Sequence, residues 1–283
     1  MKLISVVTPC FNEEQNVMEV YSQVKEVFKN LPLYSYEHIF IDNASRDKTV
    51  EILKRISEQD KNVKIIVNTR NFGQVRSPHY AFIQTSGDAM IVIHADCQTP
   101  PYVIPSFIKK WEEGYKIVIG IKKNSQEPLF INLMRKLYYR LISFLAEGEH
   151  IKDFMGFGLY DKKFIDVLKT INDPYPYFRG LICDIGFEIA KIEYVHANRK
   201  KGLSKNNFYT LYDVAMLGIT NHSKIPLRLA TMFGFVIAIL SVFFAFCYFI
   251  YKIFHWYEFS IGIAPLIIGL FFFSSVQLFF IGI

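Results

Sequence analysis

Two long stretches near the end of the chain carry no charge, residues 229–251 and 259–283. Between them and within them, only Lys252 and Glu258 are charged. Each stretch exceeds the roughly 20 apolar residues that a helix needs to cross a bilayer. A helix buried in a soluble core is usually apolar on one face, whereas these are apolar all round. The reading is therefore a pair of membrane helices, at about 229–251 and 259–283, closing a hairpin over 225–283. Residues 1–224 are different: charged and apolar segments alternate there as in a globular domain. Lys200, Lys201, Lys205, Lys224 and Arg228 gather just before the first apolar stretch. Basic residues in that place put the globular domain on the cytoplasmic side. They also favour contact with anionic headgroups.

The globular part has a rhythm. Apolar runs at 2–8, 36–41, 63–67, 89–93 and 115–120 read as strands. Helical patterns separate them, ending near Lys29, Glu58, Thr85 and Glu113. Asn12 is placed to cap the first helix, with Glu13 and Glu14 at the positive end of its dipole. The order βαβαβαβαβ implies a mostly parallel sheet with right-handed crossovers. Residues 5–14 contain no glycine. That argues against a Rossmann dinucleotide site, which needs a Gly-rich turn after the first strand. Cys10, Cys97, Cys183 and Cys247 lie far apart with no CxxC pair. They suggest neither a disulfide framework nor a zinc site, as expected in a reducing cytosol. Residues 3–7 are too short an apolar run for a signal peptide. The net charge of +6 is modest, and no nucleic-acid partner is expected.

The fourth strand runs straight into His94-Ala-Asp-Cys-Gln-Thr-Pro-Pro101. Its apolar residues continue to the position before His94, as in a strand covered on both faces. Pro100 and Pro101 end the ladder and can open the helix that follows. His94, Ala95, Asp96 and Gln98 therefore sit at the carboxyl end of a central strand. In open α/β sheets, ligands bind at that edge. Asp96 and Gln98 are oxygen donors, suited to a hard cation that takes its remaining ligands from water and phosphate.

Several stretches together resemble one family. They are Val7-Thr-Pro-Cys-Phe-Asn-Glu-Glu14, Ile41-Asp-Asn-Ala-Ser-Arg-Asp-Lys-Thr49, Thr69-Arg-Asn-Phe-Gly73, Gly87-Asp88, the 94–101 loop, Gly156-Phe-Gly-Leu-Tyr-Asp161, Arg179-Gly180 and Arg199-Lys-Lys-Gly-Leu-Ser-Lys205. In this order they are similar to family-2 glycosyltransferases of the dolichol-phosphate-mannose-synthase type, including bacterial polyprenyl-phosphate sugar transferases. The resemblance implies a GT-A α/β fold, with the cytoplasmic domain at 1–224. It implies that Pro9, Phe11, Glu13, Asp42, Ala95, Asp96 and Lys122 bind the donor. Asp96 and Gln98, with His94 beside them, would hold Mg²⁺ or Mn²⁺. Arg135, Arg199, Ser204 and Lys205 would face the acceptor phosphate, with Asp96 and Arg199 carrying the catalysis. The implied partners are a UDP- or GDP-sugar, a polyprenyl phosphate and the plasma (inner) membrane, which the chain would cross more than once. Assembly with further copies of the chain is left open.

Two further segments fit a membrane setting. A basic amphipathic pattern over 129–146 suits either a core helix with a solvated face or a helix lying in the headgroup plane, and near-helical apolar spacing over 207–220 suits an interfacial helix. A phosphate acceptor is already an anion, so it can attack the anomeric carbon without a general base, inverting that centre. Asp184 and Glu188 are the candidates for a base, and they also read as polar positions on a helix. A sugar hydroxyl acceptor on a lipid-linked saccharide would need such a base.

The chain departs from the family pattern in places. His94 stands where the family has the first Asp of its metal loop. Histidine ligates Mn²⁺ but replaces a carboxylate poorly toward Mg²⁺. Either it joins the metal, or it packs at the strand end and leaves Asp96 and Gln98 to suffice. It also motivates a third reading, a catalytically weak nucleotide-sugar-binding subunit. Asn43 and Ala44 occupy a position where Asp and Gly are common, and Lys122 stands where Arg is common. Relatives of this type commonly continue past Ile283 with a basic tail, so the chain reads as a shortened form.

Overall fold

The computed structural model describes residues 1–123, 151, 154–171, 173, 175–195, 216, 225–255 and 263–282. The chain divides into two compact units, a sheet domain and a pair of long helices.

The sheet domain holds seven strands: β1 (Lys2–Cys10), β2 (Tyr34–Asp42), β3 (Val63–Val67), β4 (Ala89–Val92), β5 (Ile117–Lys123), β6 (Phe154–Asp161) and β7 (Ile189–Val195). Its helices are α1 (Val17–Lys29), α2 (Thr49–Gln59), α3 (Gly73–Ile83), α4 (Ile104–Glu112), α5 (Lys162–Thr170) and α6 (Phe178–Asp184). The strand order is β3-β2-β1-β4-β6-β5-β7. β1 pairs in parallel with β2 and β4, and β5 pairs in parallel with β7. The expected α/β rhythm is therefore present over the first five strands.

Two strands were not foreseen, β6 and β7. β6 inserts antiparallel between β4 and β5. Glycines at 156 and 158 weaken the strand signal there, because glycine in a strand usually marks a close approach of backbone. At Gly158 the approach is real: a Cβ would lie 2.5 Å from the Val118 carbonyl oxygen on β5.

Alternation along the strands builds two cores. Ile4 and Val6 of β1 and Ile91 of β4 pack with Val20, Val24 and Phe28 of α1 and Phe107 and Trp111 of α4. Val7 of β1 and Met90 and Val92 of β4 face the other way, against Phe82 of α3 and Phe164 and Leu168 of α5. All four residues of β4 are buried, as a strand covered on both faces requires.

A polar network braces the sheet's other end. Glu37 on β2 accepts from Ser5 Oγ at 2.5 Å, from Ser86 N at 3.0 Å and from Ser86 Oγ at 2.9 Å. Its second oxygen takes the Lys64 ammonium. Burial pushes the Glu37 carboxyl up, but Lys64, Ser5 and Ser86 outweigh it, and the net shift is downward. A depressed carboxylate contributes stability above its unfolded pKa of about 4.3 and loses it as pH falls through the folded value. Glu37→Gln should flatten this acid response. The check compares the melting temperatures of wild type and variant at pH 7 and near pH 3.5; an unchanged difference would refute the role. His38, next along β2, is pushed down to about 3 by burial. It is a neutral core residue bound to Thr8 Oγ1 at 2.9 Å.

Two local expectations are corrected. Asn12 caps no helix: α1 begins at Val17, after Asn16. Residues 13–16 form a tighter turn first, with Asn16 N bonded to Glu13 O at 2.9 Å. Asn12 has φ 53° and gives its side-chain oxygen to Arg46 N instead. Residues 183–188 are not one helix either. α6 stops at Asp184, the chain turns at Gly186 with φ 77°, and Glu188 leads into β7. A left-handed glycine ends a helix cheaply because it has no Cβ.

The second unit contains α7 (Ile225–Phe254) and α8 (Ile263–Gly282), which pack on each other. At 1.5 Å per residue, α7 is roughly 45 Å long. Phe233, Phe244 and Phe246 are more than half exposed on it. Among the described residues one helix is long and apolar enough to cross a membrane, Leu227–Phe254. The expected second span coincides with α8, which the same criterion of length and composition does not include. The expected interfacial helices at 129–146 and 207–220 (Met216 apart) lie outside the described residues, as do Arg135, Arg199, Ser204 and Lys205.

Candidate active site

β1, β2, β3 and β4 run the same way, and β5 and β7 run with them. Their carboxyl ends make one edge. The chain reverses its progress across the sheet at β1, which has β2 on one side and β4 on the other. A crevice outside such a switch point is the usual ligand site of this architecture.

Three non-glycine residues with positive φ occur in the loops at this edge. They are Asn12 at 53°, Ala44 at 61° and Cys97 at 57°. Each such conformation costs about 1–3 kcal/mol and persists only where its surroundings impose it. The surroundings here are interlocked loops. Asn12 N donates to Ser45 Oγ at 2.7 Å, Glu13 N to Thr49 Oγ1 at 2.8 Å, and Lys48 N to Glu14 Oε2 at 2.9 Å. Asn43 ties in the loop after β3. Its amide nitrogen donates to Asn71 Oδ1 at 2.8 Å, and its oxygen accepts from Phe72 N at 2.8 Å. An Asp here would lose the two donor hydrogens, which accounts for the amide at this position.

Pro9 and Asp42 lie at the ends of β1 and β2, and Phe11 and Glu13 follow β1 directly. Cys10 and Asp42 are register partners at the ends of β1 and β2, and Pro9 pairs with Ile41. Burial pushes the Cys10 thiol well up, and the charges of Asp42, Glu13 and Asp47 push it further. These carboxylates therefore surround the end of β1, and the thiol is no nucleophile. Phe11 and Glu13 are half-buried. Asp42 is fully buried. Its Oδ2 accepts from Ser45 N at 2.9 Å, while Oδ1 has no hydrogen-bond partner. A buried carboxylate oxygen without a donor is costly.

The second group lies past β4. Ala95 is buried, and Asp96 and Gln98 are half-buried. Gln98 N donates to Asp96 Oδ1 at 3.0 Å, and His94 N to Thr99 Oγ1 at 3.0 Å. These bonds shape the loop and leave Asp96 Oδ2 for other partners. Burial lowers the His94 pKa; Asp96 opposes that, Arg179 reinforces it, and a hydrogen bond with the Met155 backbone opposes it. A neutral imidazole results, the form that can ligate a metal. Lys122 stands at the end of β5 in register with Tyr194 of β7. Burial, with the charge of Asp96, pushes Tyr194 up to about 12. The Lys122–Tyr194 pair thus belongs to the same edge as Asp96.

Residues missed from sequence are Asn43 as a hub, Asp47, Tyr194 and Arg179. Arg179 lay within a quoted motif, but nothing local linked it to His94. Asp184 and Glu188 are exposed and sit on either side of the Gly186 turn. Among the described residues no group of three or more His, Cys, Asp or Glu could hold a metal. One carboxylate, an amide and an imidazole make a partial donor set. It fits a hard cation that draws its remaining ligands from a diphosphate.

Known proteins resemble this chain in sequence or in fold. An uncharacterized glycosyltransferase of Bacillus subtilis, YkcC, is 35% identical over 83% of this chain and 72% of its own. The bactoprenol glucosyl transferase of Shigella phage SfV is 32% identical over 99% of this chain and 91% of its own. Among solved structures, mannosyl-3-phosphoglycerate synthase from Rubrobacter xylanophilus matches with a TM-score of 0.57 at 14% identity, over 78% of this chain and 73% of that one. Glucosyl-3-phosphoglycerate synthase from Mycobacterium tuberculosis, in complex with Mn²⁺, uridine diphosphate and phosphoglyceric acid, matches with a TM-score of 0.52 at 21% identity, over 76% and 78%. Both show the same GT-A-like fold. The description "Glycosyl transferase family 2" matches residues 5–168, from β1 into α5. More than half of the chain lies within that match, and the chain belongs to glycosyl transferase family 2.

Proposed function

We propose that the protein transfers a sugar from a nucleotide diphosphate to a polyprenyl phosphate at the cytoplasmic face of the plasma membrane. The observation that carries this reading is the likeness to a bactoprenol glucosyl transferase along 99% of the chain, apolar helices included. On this reading α7 spans the bilayer and α8 returns beside it, holding the sheet domain near the lipid.

The donor lies across the switch point. Asp42 Oδ1 accepts a hydrogen bond from the base of the nucleotide, with Pro9 and Phe11 beside it. Asp96, with Gln98 and His94 beside it, would hold a divalent cation. When bound, Mg²⁺ or Mn²⁺ supplies charge stabilisation to the leaving group. Lys122 adds a positive charge at the same edge. The acceptor phosphate approaches from the opposite face of the sugar, toward Arg135, Arg199, Ser204 and Lys205. Its oxyanion forms the new bond to the anomeric carbon as the bond to the diphosphate breaks. The electron pair leaves with the nucleoside diphosphate, and the anomeric centre inverts. No proton need be removed from the nucleophile, so no base is required.

The test uses membranes containing the full chain, a long-chain polyprenyl phosphate and radiolabelled UDP-glucose, then other UDP- and GDP-sugars. Label should enter an organic-extractable lipid that mild acid releases. Absence of lipid-linked label with every donor would refute the proposal.

A further inference from the structure

Arg179 is the second residue of α6. Among the described residues its guanidinium makes no hydrogen bond and no ion pair. Its place is well fixed nonetheless. The ring of Phe178, one residue earlier, packs against Phe82, Tyr160 and Phe164 at centroid distances of 4.7, 5.0 and 5.9 Å. That contact pins the start of α6 to β6. Along the β4–β6 ladder, Tyr160 is level with Met90 and Gly158 with Val92. The ladder ends there, two residues short of both His94 and Gly156. Tyr160 Oη donates to the Gly156 carbonyl at 3.0 Å, and the Met155 backbone hydrogen-bonds His94. The same two residues, Tyr160 and His94, feel the charge of Arg179. Arg179 therefore stands beside the loop that carries Asp96.

A half-buried guanidinium bonded to no carboxylate among the described residues can take an anionic ligand. Tyr160 and His94 do not supply that anion: burial keeps the Tyr160 phenol protonated, and an imidazole side chain carries no negative charge. A guanidinium is a planar fork that matches two oxygens of one phosphate. Both substrates of the proposed transfer carry phosphate to this edge.

We propose that Arg179 binds a substrate phosphate during transfer, on the diphosphate of the donor or on the phosphate of the lipid acceptor. This assignment rests on the transferase reading above. It adds a phosphate ligand from α6, an element remote in sequence from the metal loop.

The experiment compares wild type, Arg179→Gln and Arg179→Lys as full chains in detergent. Transfer kinetics, UDP titration by calorimetry and melting temperature are read together. Arg179→Gln should lose about 100-fold in kcat/KM, the scale of one lost charge-stabilising group, with its melting temperature unchanged. Arg179→Lys should recover part of the loss by keeping the charge. If the phosphate is the donor's, Arg179→Gln weakens UDP binding and leaves the KM for polyprenyl phosphate alone. If it is the acceptor's, the KM for the lipid rises and UDP binds as in wild type. Either pattern supports the assignment. Near-wild-type kcat/KM in Arg179→Gln overturns it. So does a loss that follows the melting temperature, with both affinities unchanged. Should the wild type itself make no lipid product, the transferase reading fails separately. The acceptor alternative fails with it, only the donor assignment is left, and equal UDP affinity in wild type and Arg179→Gln overturns that.

Discussion

Asp96→Asn should lower kcat by on the order of 10²–10³-fold while leaving the protein folded, the loss typical of removing one preorganised electrostatic group. The substitution is nearly isosteric. An Asn oxygen can still accept from Gln98 N, as Asp96 Oδ1 does at 3.0 Å, so the loop should keep its shape. What disappears is the negative charge that would hold a divalent cation against the diphosphate. Gln98 and His94 are neutral and cannot replace it. The measurement is sugar incorporation into extractable lipid across a range of Mn²⁺ and Mg²⁺ concentrations, with melting temperature as the folding control. If Asp96→Asn keeps activity within about threefold of wild type, the charge has no part in the transition state. The same result would remove Asp96 from the metal assignment and leave His94 as the residue to explain.

Gly158→Ala should unfold the sheet domain at a markedly lower temperature. The added methyl would come to 2.5 Å from the Val118 carbonyl oxygen and 3.2 Å from Ile119 Cα. Both are backbone atoms of β5, so neither can move without parting the ladder. Overpacking of this kind costs about 3 kcal/mol or more. For a domain of this size that is a fall of about 6–12 °C. Gly114→Ala is the control: φ there is 111°, and no atom lies within 4 Å of an added Cβ. It suffers backbone strain alone and should lose clearly less. Equal melting temperatures for Gly158→Ala and wild type would contradict the insertion of β6 between β4 and β5.

Both predictions concern places where local pattern and long-range packing meet, and they divide differently. The loop around Asp96 was legible before any fold was known. A buried apolar strand ended in Asp and Gln and was stopped by two prolines, which marks a polar strand-to-helix turn; the family motifs around it gave that turn its chemical reading. β6 was not legible. Its residues 154–161 look like a run of aromatics and glycines, and nothing within them says that they pair backwards between β4 and β5. Asn12 shows the reverse error. It has a capping residue's chemistry, yet its side chain is drawn to Arg46 N, 34 positions away.

Residue order alone was enough to establish the strand–helix alternation, the apolar C-terminal helices and the chemical character of the loops that close the first, second and fourth strands. These follow from periodicity and from turn and helix-stop residues, which act over a few neighbouring positions. Which loops share an edge, where the antiparallel strand enters and what stands opposite His94 were settled by packing in three dimensions. Contacts such as Asn43 to Phe72, Phe178 to Tyr160 and Gly158 to Val118 join residues tens of positions apart or on separate strands. Their partners are chosen by shape and register across the sheet, and a pattern read along one strand contains neither.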